Sequence, residues 1–262
     1  MSKNNGDKNR WPLGKILAGL MSIILAAGVA IFGFARLDAP EPRVQRHTSS
    51  IDENTVIILD DGTILTLSGA SRAVVLYSDD ERRVELQNGS GYFEVAPQED
   101  RLFVAVAGNT AAQATGAVFE VRRSADDTRV SVVEGSVVIT NLAAAADNPL
   151  TVATVKSGER LRTDVSGKRL GKKEAFDREV SISWLNGRLA YDGARLADVV
   201  ADMNRYRSAK IKLTDPSLGE LRITASFPTD QTDALLDALS AVYPITVKQG
   251  IGRVFLDHAF AN

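Results

Sequence analysis

The sequence has no cysteine and only two histidines. Without thiols there is no disulfide framework, no thiolate zinc site and no cysteine nucleophile. His47 and His258 lie far apart in the chain, so a histidine metal site or a Ser-His-Asp triad would have to be assembled from its extremes. A phosphate loop, a dinucleotide fingerprint and metal-ligand spacings are equally missing. Asp60-Asp61-Gly62 lacks the later oxygen ligands of a calcium loop and reads as a hairpin turn. Acids are scattered, and no spacing singles out a catalytic pair. The expectation is therefore a protein that is not an enzyme, with no catalytic, cofactor-binding or metal-binding residues. The net charge of −2 gives no reason to expect nucleic acid as a partner.

Charge is also missing from one long stretch. Ile16 to Ala35 contains no ionisable side chain. As a helix it would be about 30 Å long, the thickness of a bilayer's hydrocarbon core. Lys3, Lys8, Arg10 and Lys15 precede it against Asp7 alone, whereas the charges that follow nearly cancel. That asymmetry predicts a single-pass inner-membrane protein with a cytoplasmic N-terminus and a periplasmic body. Trp11 would sit among the cytoplasmic headgroups. A cleaved signal peptide is the competing reading, but the run exceeds the usual apolar region and Pro40 spoils the site after Ala39.

Residues 1–15 thus read as a cytoplasmic arm, 16–35 as a transmembrane helix and 36–54 as a linker. From 55 to 163 short runs of Val, Ile, Leu and aromatics alternate with Gly, Asp, Asn and Ser. They predict strands at 56–59, 64–67, 74–77, 83–86, 92–95, 103–107, 118–122, 130–133 and 137–140, hence a mainly β domain, either a roll or solenoid or a sandwich. Gly91, Gly135 and Gly158 read as turn glycines, 141–148 as a surface loop, and Asp79 to Arg83 as a solvated charge cluster. Residues 164–182 read as a basic linker. Residues 183–258 then change pattern. Leu196, Val199, Val200, Met203 and Tyr206 have helical spacing, and Ala234–Val242 forms a second helix that Thr229 or Asp230 can cap. The order β-α-β-β-α-β-β predicts a small α+β domain with both helices on one face of a sheet. Trp184, Leu189 and Tyr206 belong to its expected core.

Ordered motifs over residues 55–257 resemble the FecR family of membrane sensor and anti-sigma proteins. Leu59-Asp-Asp-Gly-Thr63 with Leu67 and Ser71, Arg83 to Gly89, and Gly91-Tyr-Phe-Glu-Val95 are similar to its opening segments. Arg101-Leu-Phe-Val104, Thr115 to Val121, Val133-Glu-Gly-Ser-Val137 and Ser157-Gly-Glu159 follow in the family's order, with Leu102 and Ala117 as departures. Trp184-Leu-Asn-Gly-Arg-Leu189, Leu196-Ala-Asp-Val199 and Asn204-Arg-Tyr206 resemble the secretin/TonB N-terminal-like (STN) domain that often follows.

The resemblance implies signal transduction linked to iron uptake. The periplasmic part would meet the signalling domain of a TonB-dependent outer-membrane receptor and pass its state to an extracytoplasmic-function (ECF) sigma factor. The fifteen-residue arm is shorter than the family's sigma-binding segment, which puts anti-sigma activity in question. Strand addition at a sheet edge would supply the receptor contact, with Lys210, Ile211, Lys212, Leu213, Arg222, Ile223, Thr224 and Ala225 as partner-binding candidates. The alternative is an envelope structural or polymer-binding module that touches no sigma factor.

Overall fold

The alternating strands form a single thirteen-stranded sheet curled around one core, followed by a thin α+β layer. The computed structural model describes residues 43–98, 100–143, 152–164, 166 and 169–259. The proposed arm and transmembrane helix, and most of the 141–148 loop, lie outside these residues. No described helix is long and apolar enough to cross a membrane.

The sheet comprises β1 (Arg43–Thr48), β2 (Thr55–Ile58), β3 (Ile64–Leu67), β4 (Arg72–Tyr77), β5 (Glu81–Glu94), β6 (Leu102–Ala107) and β7 (Thr110–Ala114). It continues through β8 (Val118–Arg123), β9 (Asp127–Glu134), β10 (Ser136–Asn141), β11 (Val152–Lys156), β12 (Glu159–Asp164) and β13 (Glu174–Ala175). One half runs β1-β4-β5-β6-β7-β10-β11 and the other β2-β3-β5-β8-β9-β12-β13. Both halves share β5, whose first part pairs with β4 and β6 and whose second part pairs with β3 and β8.

The sequence reads as two strands there, 83–86 and 92–95. The chain instead bulges, because the β4 register slips between Arg72 and Ala73, and β5 bends from one half into the other. Gly89 makes the bend possible. Its φ is +88°, and a Cβ would lie 2.0 Å from Ser71 Oγ. Inward-facing Phe93, Phe103 and Phe119 meet where the halves face each other, with ring centroids 5.2–6.4 Å apart.

Three further expectations are corrected. Residues 43–48 are not linker but β1, paired along its length with β4. Part of 164–182 lies against the sheet: β13 pairs with β12, and Asp177 caps the short helix α1 (Arg178–Ser181) by accepting from Val180 N. Finally, the cluster at Asp79–Arg83 is not wholly solvated, since Arg82 is 0% exposed.

The second layer follows the expected order: β14 (Arg188–Arg195), α2 (Leu196–Met203), β15 (Lys210–Leu213), β16 (Arg222–Pro228), α3 (Thr232–Val242), β17 (Ile245–Gly250) and β18 (Arg253–His258). Its strands do not form one sheet under two helices. β14 pairs with β16, and β15-β18-β17 make a separate sheet in which β15 and β18 are parallel. Leu196, Val199, Val200, Met203 and Tyr206 are all buried, as their spacing requires. Each of the four aliphatic and methionine side chains among them is worth about 1.5–3 kcal/mol relative to exposure. Gln231, not Thr229 or Asp230, stands at the N-cap of α3, and it makes no side-chain cap bond.

Candidate functional site

The outer face of the β5-β8-β9-β12 half is the base on which the second layer sits. Along β8, Phe119 and Val121 enter the core, so Glu120 and Arg122 must face outward; on β9 and β12 the same alternation turns out Arg129, Ser131, Arg160 and Arg162. Such a face normally meets water. Here α2 and the turn at Trp184 cover it.

Asp202 is the centre of the joint. Arg122 Nη1 pairs with its Oδ2, Tyr191 Oη donates to the same oxygen at 3.2 Å, and Arg205 Nη1 lies 3.0 Å from Oδ1. Arg122 Nη2 also reaches Glu120 Oε1 at 3.1 Å, and Trp184 Nε1 donates to that oxygen at 3.0 Å. A second group lies one turn earlier on α2, where Asp198 Oδ2 receives Arg129 Nη2 at 2.9 Å and Arg162 Nη2 at 3.0 Å. Burial opposes the charge on Arg122, but Asp202 and Glu120 outweigh it and hold its proton more tightly than usual. Burial would raise the carboxyl of Asp198, yet Arg162 and Arg129 bring it below the usual range. Burial and the neighbouring Asp202 push the Tyr191 hydroxyl well above its ordinary value.

Further along, Arg205 Nη1 donates to Ser90 Oγ at 2.7 Å, and Asn54 bridges the layers by donating to Trp184 O at 2.7 Å and accepting from Tyr206 Oη at 3.1 Å. Gly69 permits the approach, since a Cβ there would lie 2.9 Å from Arg205 O. Trp184 and Tyr206 are therefore core residues, as expected, and also fasten the layers.

The eight partner-binding candidates fall on two strands in different sheets. Lys212, Arg222 and Thr224 are exposed, whereas Ile211 and Ile223 are buried. The outer edge of β15 is occupied at Ile211. Thr214 N donates to Leu256 O, which directs the even-numbered backbone groups toward β18 and leaves Ile211 facing away. The Asn204 amide grips Ile211 from both sides, Nδ2 to O at 2.9 Å and Oδ1 from N at 2.7 Å. β16 pairs with β14 alone; at its other edge Tyr243 Oη donates to Arg222 O at 3.0 Å.

The Asp60-Asp61-Gly62 hairpin joins β2 to β3 as expected, but Asp61 does more than turn the chain. Its side chain is 2% exposed and accepts from Arg82 Nη1 at 2.9 Å, Tyr77 Oη at 2.7 Å and Thr63 Oγ1 at 2.7 Å. Burial pushes its carboxyl up, yet these donors together hold it below the usual range. Arg82 also donates to Ala96 O and Arg101 O, and its guanidinium lies 5.7 Å from the centroid of the Phe103 ring. This is a structural knot. Among the described residues no group of three or more His, Cys, Asp or Glu side chains converges as a metal site.

Residues 45–138 match the family model for FecR protein, a segment that begins inside β1 and ends in β10. Two crystal structures of a candidate anti-sigma factor from Parabacteroides distasonis ATCC 8503 are similar in fold. One has a TM-score of 0.70 and 21% identity, covering 82% of this chain and 99% of that one. The other has a TM-score of 0.69 and 22% identity, covering 81% and 98%. Coverage of that extent takes in both layers. No curated protein matches the chain.

Proposed function

We propose that the chain is a FecR-type transmembrane regulator. It relays the state of a TonB-dependent outer-membrane receptor to an ECF sigma factor, with residues 16–35 crossing the inner membrane and the two described layers in the periplasm. The observation that carries this reading is the FecR match over 45–138. The fold shared with a candidate anti-sigma factor supports a sigma-regulatory role, and the β-α-β-β-α-β-β order of the second layer supports its assignment as an STN-like domain. On this reading the protein is a relay and not a catalyst.

Of the two candidate strands β16 is the more available for docking, because Tyr243 takes only the Arg222 carbonyl at its free edge, whereas the Asn204 amide takes both backbone groups of Ile211 on β15. A pull-down with residues 37–262 as bait tests the receptor contact: a receptor signalling domain should be recovered. Capture of wall polymer without any receptor would sink the relay in favour of an envelope-binding module. A periplasm-dependent reporter fused after Arg46 should be active, and silence would refute the topology.

A further inference from the structure

Between the two layers lies a cavity of about 340 Å³, within the size range of small-ligand sites. Six arginines and four acids line it: Arg122, Arg129, Arg160, Arg162, Arg195 and Arg222 against Glu174, Asp192, Asp198 and Asp202. Three of those acids are already engaged. Asp202 holds Arg122 and Arg205, Asp198 holds Arg129 and Arg162, and Glu174 holds Arg160. Asp192 is exposed on β14.

Arg129 is the member left short. Its guanidinium carries five N–H donors. Among the described residues it has a single acceptor, Asp198 Oδ2, which it shares with Arg162. Its Nε is buried without a partner, as is Arg122 Nε, while the side chain as a whole stays 13% exposed. Asp198 balances the charge of this guanidinium, since Arg162 also pairs with Asp127, but one shared carboxylate oxygen leaves most of the Arg129 N–H donors unmatched in a largely buried place. Burial and the repulsion of Arg122 accordingly weaken its hold on its proton. Trp184, Leu189 and Tyr191 are also among the lining residues, so the cavity is not bounded by charged groups alone.

We propose that this cavity binds a small oxyanion, a carboxylate or phosphate group, with Arg129 as its principal ligand and Arg160 at its half-exposed margin. The planar donor fork of arginine matches two oxygens of either group. Because residues of both layers line the site, the bound anion fastens one layer to the other. This inference stands apart from the relay reading and does not depend on the partners named there.

The test is calorimetric titration of the full-length protein with inorganic phosphate and, separately, succinate, at an ionic strength fixed with chloride. Saturable binding of one or both is expected; a response to one alone identifies the group. Arg129→Gln should weaken binding by about tenfold or more, as loss of a charge-assisted bond does. Arg160→Gln should weaken it by a few-fold, and it keeps the test open should the Arg129 variant not fold. Arg253→Gln, on β18 and outside the cavity, should bind as the parent does. Absence of saturable heat with both anions overturns the proposal, as does an equal loss in all three variants.

Discussion

At the scale of single residues, the pair Asp61–Arg82 decides the most. Removing one partner leaves the other charged in a dry site, so Asp61→Asn should lose about 3–5 kcal/mol in urea unfolding. The pH dependence has a definite sign. Asp61 has a folded pKa below its ordinary 3.8, so its contribution is fully present above that value and lost as pH falls through the lower folded one. Asp198 acts in the same sense. Stability should hold across neutral pH and fall below about pH 4, with a shallower acid slope in Asp61→Asn. None of this was legible in the sequence. Asp61 looks like any hairpin aspartate, and Arg82 like one of a charged run; only the fold brings Tyr77, Thr63 and Arg82 to one carboxylate.

At the scale of elements, the period-2 and period-3.6 patterns located most strands and both larger helices, because those runs bury one face. The failures have physical causes. β7, Thr-Ala-Ala-Gln-Ala, lacks the branched and aromatic residues that mark strands, and β1 is an edge strand that buries little and so shows little pattern. Gly91 read as a turn but lies inside β5, where a Cβ would be 3.0 Å from the Phe93 ring; Gly135 and Gly158 do occupy turns. Gly89→Ala meets both positive φ and Ser71, and should cost at least about 1–3 kcal/mol, read as a lowered Tm. Asn204→Ala should free the β15 edge, and faster amide hydrogen exchange at Ile211 would report it. Unchanged exchange would mean that the amide grip does not protect that edge.

At the scale of the molecule, the joint between the layers is what sequence patterns hide best. Glu120, Arg122, Arg129 and Arg162 alternate with core residues as on any sheet facing water, so the pattern gives a face but not what covers it. The candidate partner strands were legible as strands, but not their separation into two sheets, which rests on the non-local β15–β18 pairing. With Asp202 at the joint, the layers should melt together in one calorimetric transition. Asp202→Ala leaves Arg122 and Arg205 without their shared carboxylate; it should cost about 3–5 kcal/mol and split the transition in two. A single unsplit peak in the variant would show that the apolar contacts alone couple the layers.

The placement of β1 has a mechanical consequence. The chain enters the sheet at Arg43, on a strand with one neighbour, and its first pairing is with Tyr77. Tension applied at that entry, across the strand direction, would load the ladder one rung at a time, as in unzipping, and would not shear all six rungs together. The first element to yield would be the thinly buried edge, exposing the flank of β4 while the phenylalanine core and the Asp202 joint stayed intact.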